Sequence, residues 1–289
     1  MSSLRAIRKR IQSVKNTQQI TKAMKMVSAA KLRRAQEAIV AARPYAFKMK
    51  EVVMDLAYRV DPSVHPLLTP REVRKQGILI ITSDRGLCGS FNSNLIRALR
   101  LYLESEAQNY EGVFLYAAGR KARDFFRRRK YPIKREYINV LAHVIYEVAE
   151  ELANDLVTDF LEGEVDEVLV YFNEFRSPLI QRVTVEKLLP IEVERPEGEF
   201  PVEFIYEPGK DQILETLLPR YVATQMYRYL LESVAGEHGA RMTAMDNATN
   251  NATEMIDKLT LQMNRARQAS ITKELMEIIS GKEAIEQKK

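Results

Sequence analysis

The 289-residue chain holds a single cysteine, Cys88, and only three histidines, His65, His143 and His238. One cysteine excludes an intrachain disulfide and any metal cluster built on several cysteines. The histidines lie far apart in sequence without ligand spacing, so no metal site is expected. No window of about 18 apolar residues occurs, and the first residues form no continuous apolar run. These absences predict a soluble protein of a reducing compartment, without a signal peptide or a membrane span.

Acidic side chains are nearly missing from the first 50 residues. This stretch contains 13 Lys and Arg and one acid, Glu37, whereas the remaining residues contain 31 basic and 38 acidic side chains. A basic arm on a mildly acidic body indicates an anionic partner for the arm. Nucleic acid, a membrane surface and an acidic protein surface are all partners of that kind.

The N-terminal segment, residues 2 to about 58, has the pattern of one long helix. Apolar side chains recur at spacings of three and four, as in a coiled coil. Residues 16–36 contain no proline, glycine or acid, and their seam is small or polar. Pro44 is expected to perturb the helix, and three prolines within 61–70 to end it. The seam begins with Leu4, Ile7, Ile11 and Val14 and continues with Thr17, Thr21, Met24 and Ser28.

The middle of the chain, residues 76 to about 206, alternates between strand and helix patterns. This alternation predicts an α/β sheet, and short links between the last strands lead us to expect that these run antiparallel. The predicted strands are 77–83, 112–118, 167–175, 181–191 and 202–208, and the predicted helices are 95–106, 120–129 and 141–163.

The C-terminal segment, from about 211 to about 280, is again a long helical pattern, in which Gly236 and Gly239 interrupt the propensity. Seventy helical residues would run for about 105 Å. A small α/β domain cannot bury two such helices at opposite ends of one chain. We therefore expect the terminal helices to pack on each other, antiparallel, with the stretch around Met24 near Leu259–Met263.

The loop at 84–94, DRGLCGSFNSN, follows a predicted strand and precedes a predicted helix, where α/β folds bind phosphate. It lacks the spacing of the dinucleotide and P-loop motifs, so we favour a tight turn in which Gly86 and Gly89 supply unusual dihedrals. Cys88 has no local His or Asn partner and is interpreted as a small buried hydrophobe. The side chain that caps the following helix is expected to be Ser90, Asn92 or Ser93.

The basic run at 120–130, RKARDFFRRRK, has two interpretations. Its cations would suit RNA or DNA, with Phe125 and Phe126 as stacking platforms. We favour instead an exposed helix whose two phenylalanines face the sheet.

Four segments resemble the gamma subunit of the bacterial F-type ATP synthase and follow one another in the order of that family. They are LRAIRKRIQSVKNTQQITKAMKMVSAAKLRRAQ (4–36), SDRGLCGSFN (83–92), RMTAMDNATNNATEMIDKL (241–259) and NRARQASITKELMEIISG (264–281). The resemblance extends over essentially the whole chain, and the terminal motifs are long and specific.

The resemblance implies an α/β fold with a long antiparallel coiled coil of the N- and C-terminal helices plus a central Rossmann-like α/β domain. The expected parts are an N-terminal helix at 1–60, the α/β domain at 76–208 and a C-terminal helix at 210–285. In this family the coiled coil is a rotor shaft inside a hexamer of alternating alpha and beta subunits. The α/β domain sits on epsilon and on the ring of c subunits.

The implied function couples proton-driven rotation of the c ring to ATP synthesis at the beta subunits. The chain itself is expected to have no catalytic site, no cofactor and no metal. It is expected at the cytoplasmic face of the cell membrane, as a peripheral protein that reaches the membrane only through the c ring.

Six motif positions are implied to contact the hexamer or to brace the two helices at the bearing. A shaft that turns inside a sleeve should avoid large outward apolar side chains, because burying each one contributes about 1 kcal/mol or more and creates angular traps. Small, polar and cationic residues give weaker contacts to acidic loops. The six positions are Met24, Arg241, Arg267, Gln268, Thr272 and Glu277.

Two other functional classes remain open from the residues alone. A nucleic-acid-binding coiled coil with a basic N-terminal arm predicts strongly salt-dependent binding to DNA or RNA. An α/β enzyme using the loop at 84–94 predicts nucleotide binding or turnover by the isolated chain.

Overall fold

The computed structural model describes residues 4–193 and 209–286, the side chains of 211 and 282–286 excepted. The chain divides into two compact units, one of Met1–Val27 with Ala244–Lys289 and one of Ser28–Thr243. The predicted strand at 202–208 lies outside the described residues.

The helices and strands follow the predicted alternation. The α-helices are α1 (Leu4–Tyr58), α2 (Phe91–Ser105), α3 (Arg120–Arg128), α4 (Tyr146–Leu161) and α5 (Lys210–Glu286). The strands are β1 (Lys75–Ile81), β2 (Gly112–Ala118), β3 (Ile133–Tyr137), β4 (Glu167–Phe175) and β5 (Gln181–Leu189). Short 3₁₀ helices cover Pro62–Val64 and Ala107–Asn109.

Helix α1 continues through Pro44, so the expected perturbation does not end or divide it. Proline removes one backbone hydrogen bond and crowds the preceding turn. The Pro44 side chain is exposed, and the helix to either side is long enough to absorb one lost bond. The segment ends as predicted where the proline-rich stretch begins.

The five strands form one sheet in the order β3-β2-β1-β4-β5. The pairs β1/β2, β2/β3 and β1/β4 are parallel, and β5 pairs antiparallel with β4. The predicted α/β class is therefore confirmed, and so is the antiparallel arrangement of the predicted strands 167–175 and 181–191. Strand β3 was missing from the sequence prediction because its segment, IKREY, is short and mostly charged.

Strand β1 divides the core of the second unit into two layers, because successive side chains of a strand point to opposite faces. Leu79 and Ile81 face a cluster that includes the C-terminal half of α1, helix α4 and the first part of α5. Ile78 and Ile80 face a second cluster formed with α2 and α3. The continuous apolar run of β1 is thus explained by burial on both faces.

A buried carboxylate, Asp159 of α4, joins α4 to the edge of the sheet. It is 3% exposed, and it accepts hydrogen bonds from the Tyr116 hydroxyl (2.6 Å) and Arg135 Nη2 (3.3 Å) while Lys134 Nζ lies at 3.2 Å. Burial alone would raise the pKa of Asp159, but these three donors outweigh burial and hold the pKa below its usual value. The charged side chains Lys134 and Arg135 of β3 therefore link this strand to α4.

Candidate partner-binding sites

The first unit is a coiled coil in which residues 4–27 of α1 pack antiparallel on α5. Ile7 and Ile11 are buried against Leu259 at one end. The predicted antiparallel packing of the two chain ends is confirmed. The side chains that surround this apolar cluster are Val14, Ile256, Met263 and Ala266.

Beyond the apolar cluster the contacts between the helices become polar. A hydrogen bond between two neutral side chains adds only about 1 kcal/mol, less than a fully buried leucine. The predicted thin seam of this stretch is confirmed, since hydroxyl, amide and charged groups occupy it. The contacts are Gln18 Nε2 to Thr253 Oγ1 (2.7 Å), Thr21 Oγ1 to Thr249 Oγ1 (2.8 Å) and Lys25 Nζ to Asp246 Oδ1 (2.6 Å).

Met24 is half-buried and lies between the Thr21 and Lys25 contacts. Its predicted approach to Leu259–Met263 is wrong, because those residues pack near Ile7 and Ile11. The error amounts to about 13 residues, or roughly 20 Å along a helix. A repeat of three and four residues fits at many offsets, so periodicity alone cannot set the register.

The end of α5 carries four of the six predicted positions, Arg267, Gln268, Thr272 and Glu277, and all four are exposed. Thr272 Oγ1 donates to the backbone oxygen of Gln268 at 3.0 Å, and Glu277 lies 3.6 Å from Lys273. Within the described part of the chain, the side chains of Arg267 and Gln268 have no hydrogen-bond or ion-pair partner. Their donors are therefore available to another molecule.

Every described side chain from 271 to 281 is exposed. The expected avoidance of large apolar groups is wrong for this stretch, because five of them are more than half exposed. Several large apolar side chains this close together are unusual on a free surface and mark an interaction site. The five are Ile271, Leu275, Met276, Ile278 and Ile279.

Arg241 is buried rather than presented to a partner, with 8% of its surface exposed. Its Nη2 donates to Glu237 Oε1 at 2.6 Å and to the Gly86 oxygen at 3.3 Å. Its Nη1 lies 3.2 Å from Nδ1 of His238. Burial, together with the charges of Arg241 and Lys31, lowers the pKa of His238 to about 4, so that ring is neutral near pH 7 and Nδ1 accepts from Arg241. Within the second unit, Arg241 therefore braces α5 against the turn after β1.

The turn after β1 is held by its own side chains. Ser83 N donates to Asn92 Oδ1 at 2.9 Å, and Asn92 Nδ2 lies 3.1 Å from the Cys88 sulfur. The expectation that Cys88 has no local Asn partner is therefore wrong, because Asn92 follows it by only four positions. Positive φ angles occur at Leu87 (64°) and Gly89 (55°) and not at Gly86, which corrects half of the prediction for the glycines. Ser90 takes the N-cap position of α2 without a side-chain cap bond. The predicted side-chain cap is therefore wrong, because Asn92 bonds back to the turn instead.

The surroundings of Cys88 and of the basic helix α3 indicate structural roles for both. Cys88 is 2% exposed, and burial raises the pKa of its thiol, as expected for a small buried hydrophobe. Phe126 is fully buried against the sheet, whereas Phe125 is half-buried with the Arg129 guanidinium 3.7 Å above its ring. The favoured interpretation of the phenylalanines is confirmed for Phe126.

Among the described residues, no three His, Cys, Asp or Glu side chains are grouped as metal ligands would be. None of the described helices combines the length and the apolar character that crossing a bilayer requires.

An antiparallel coil of the two chain ends, an α/β domain formed by the residues between them in sequence and an exposed apolar stretch of α5 are typical of a coiled-coil subunit of a larger assembly. The model of the ATP synthase family matches residues 3–285. Proteins named ATP synthase gamma chain are similar over nearly the whole length. That of Trichlorobacter lovleyi is 52% identical over 287 residues, and that of Geobacter metallireducens 53% over 286, with 99% of each chain covered in both cases. The chain belongs to the ATP synthase gamma-chain family.

Solved structures give the same fold. The Tetrahymena thermophila mitochondrial ATP synthase central stalk and c ring contains a chain with a TM-score of 0.61 and 26% identity, covering 79% of this chain and 99% of that one. A chain of the Euglena gracilis mitochondrial ATP synthase, from the OSCP, F1 and c-ring structure, has a TM-score of 0.69 and 20% identity, with 98% and 94% covered. The second similarity is evidence for the fold alone.

Proposed function

We propose that this chain is the central rotor shaft of an F-type ATP synthase and couples proton-driven rotation of the c ring to ATP synthesis at the beta subunits. Its partners are the alpha and beta subunits of the hexamer, the epsilon subunit and the c ring. The chain is a non-catalytic subunit, as the gamma chains of its family are. Family membership over residues 3–285 supports this function and leaves the nucleic-acid alternative without support.

The observation that carries the proposal is the exposed end of α5, residues 267–281. Five large apolar side chains of this stretch are exposed to water, which is unfavourable. Burying each side chain of that size against a partner would contribute about 1.5–3 kcal/mol. The alpha–beta hexamer is the partner that covers this tip. We therefore expect this surface to be exposed in the isolated chain and buried in the complex.

Arg267 and Gln268 are the contact that depends on the rotary angle. Both side chains are exposed, and together they offer a rigid guanidinium fork and an amide. A loop of one beta conformation accepts these bonds, and the other conformations hold it out of reach. A hydrogen bond to a charged group is worth about 1.5–3 kcal/mol, enough to bias a dwell and still weak enough to release.

Met24, Thr272 and Glu277 complete the proposed contact set, with Met24 in the polar part of the coil. The α/β domain is the foot of the shaft on epsilon and the c ring. The whole chain is peripheral, at the cytoplasmic face of the cell membrane. The three expected parts, 1–60, 76–208 and 210–285, correspond to the first shaft helix, the foot and the second shaft helix.

The test is the double variant Arg267→Ala, Gln268→Ala in the assembled complex in membrane vesicles. We expect normal assembly, because neither side chain belongs to the coil seam, together with altered steady-state ATP hydrolysis and weaker proton pumping per ATP. Lys258→Ala is the matched control, since Lys258 is an exposed cation of the same helix and lies 3.8 Å from Glu254. Angular dwell times of single complexes measure the contact directly.

Equal turnover, pumping and dwell times in the double variant and in wild type would exclude the angle-dependent contact. A complex that lacks this chain altogether and still couples hydrolysis to pumping would overturn the rotor function itself.

A further inference from the structure

Between 232 and 243, helix α5 is rich in small side chains, and other elements of the second unit approach it closely from several sides. The stretch reads ESVAGEHGARMT, in which four of the six residues from 235 to 240 are Gly or Ala. Glycine in a helix interior costs up to about 1 kcal/mol relative to alanine, so two of them need a compensating reason. That reason is the close approach of other elements of the second unit.

The turn between β4 and β5 presses on one side of the helix. A Cβ on Gly239 would lie 3.1 Å from Cα and 3.4 Å from the oxygen of Pro178, and both are backbone atoms that cannot simply rotate away. A Cβ on Gly236 would lie 3.1 Å from the ring of Phe91. Thr243 donates its hydroxyl to the Pro178 oxygen at 3.2 Å. Residues 236, 239 and 243 share one face of a helix, so this is a single continuous contact.

The turn after β1 holds the helix from another side. Glu237 and Arg241 stand one helical turn apart, and Arg241 reaches the Gly86 oxygen as described above. Helix α1 adds Leu32 and Ala35, which pack on Ala235. A helix held at several angles around its axis can neither roll nor slide without breaking packing and hydrogen bonds together.

We propose that Gly236, Gly239, Arg241 and Thr243, here called the glycine seat, lock the rotary angle of helix α5 to the α/β domain so that torque passes between them without slip. The inference rests on the proposed rotor function and goes beyond it, because it assigns the transmission of torque within the chain to named residues. The seat makes no contribution to nucleotide chemistry. Its effect therefore appears only when the rotor works against a load.

The load dependence distinguishes transmission from general stability. Without a proton gradient the rotor turns against little resistance, and a loosened seat still carries the motion. Against a large gradient, a loosened seat lets the helix yield before the c ring moves. A variant that merely weakened folding would lower activity by the same factor in both conditions.

The experiment uses the complete ATP synthase in vesicles, with Gly239→Ala and Thr243→Val as separate variants. ATP hydrolysis is measured with an uncoupler, and ATP-driven proton pumping as the gradient builds. We expect uncoupled hydrolysis within about twofold of wild type and pumping against the full gradient lowered about threefold or more, within the range by which distant residues modulate coupling. Gly209→Ala is the matched control, because among the described residues no atom is found within 4 Å of the added Cβ and Gly209 directly precedes the same helix.

Each possible result either supports or overturns the proposal. Pumping that equals wild type at every gradient, or a loss of the same size with and without the uncoupler, overturns the proposal. Should Gly239→Ala fail to assemble, Thr243→Val decides, since it is isosteric and removes only one hydrogen bond. If wild-type vesicles stripped of this chain pump normally, the rotor function fails and the seat is not at issue.

Discussion

Replacing Asp159 by Asn tests the buried network that holds β3 and α4 together. The substitution keeps the shape of the side chain and removes its charge. Lys134 and Arg135 lose a charge-assisted partner but keep Glu164 and Asp155, respectively. Asn offers one acceptor oxygen where Asp159 offers two, so the Tyr116 hydroxyl has to accept from the amide instead of donating to the carboxylate. A bond to a charged group is worth about 1.5–3 kcal/mol, and the second partners offset part of it, so we expect a loss of about 2 kcal/mol in the free energy of unfolding.

The acid range provides a second and independent readout. The pKa of Asp159 is lower in the folded chain than its usual value of 3.8. Stability from such a group is present above the usual pKa and is lost as pH falls through the lowered folded value. Below about pH 4 the wild type should therefore lose stability more steeply than Asp159→Asn, because the variant has no carboxylate to protonate at this position.

Urea denaturation of the purified chain, monitored by circular dichroism at several pH values, measures both effects. Asp155→Asn is the matched control: that carboxylate is 27% exposed and accepts from Arg135 and from the Tyr137 hydroxyl at 2.8 Å. Because the bonds of Asp155 are more exposed to solvent, we expect Asp155→Asn to lower the free energy of unfolding by less than about 1 kcal/mol. Equal losses for the two variants, or the same acid dependence in Asp159→Asn and wild type, would refute the assignment of stability to the buried carboxylate.

Two shorter predictions concern the coil and the sheet. Leu259→Ala should destabilise the coil by about 2–3 kcal/mol, because the side chain is only 7% exposed and packs against Ile7 and Ile11. Thermal melting measures the effect, and Leu261→Ala is the control, for which a near-zero change is expected because Leu261 is 60% exposed. Gly119→Ala should prevent normal folding, since φ is 97° and the new Cβ would lie 2.0 Å from the backbone oxygen of Thr82; a soluble variant with a wild-type melting temperature would contradict this.

The sequence was sufficient for the elements whose signal is local. The apolar run of β1 and the long three-four repeats of α1 and α5 each reflect burial that neighbours in sequence share. Strand β3 gives no such signal, since its charged side chains pair with residues such as Asp159 that are distant in sequence. Its existence depends on tertiary contacts that override local propensity.

The candidate site was predictable by residue type and less so by environment. The resemblance pointed to Arg267 and Gln268, and their side chains are exposed. The burial of Arg241 was not predictable, because its partners include the backbone oxygen of Gly86, 155 positions away. The coil register was equally hidden, since it is fixed by which particular side chains pair across the coil and not by the period of the repeat.

The first unit is discontinuous in sequence, with Met1–Val27 at one end of the chain and Ala244–Lys289 at the other. Gln18 and Thr253, which are hydrogen-bonded across the coil, stand 235 positions apart. During synthesis at about 5–20 residues per second, Ile7 and Ile11 therefore wait roughly 10–50 s before Leu259 exists. The α/β domain can assemble in that interval, whereas the contacts of the coil with Leu259 cannot form until that residue has been synthesised. Coil formation is thus a late step of high contact order.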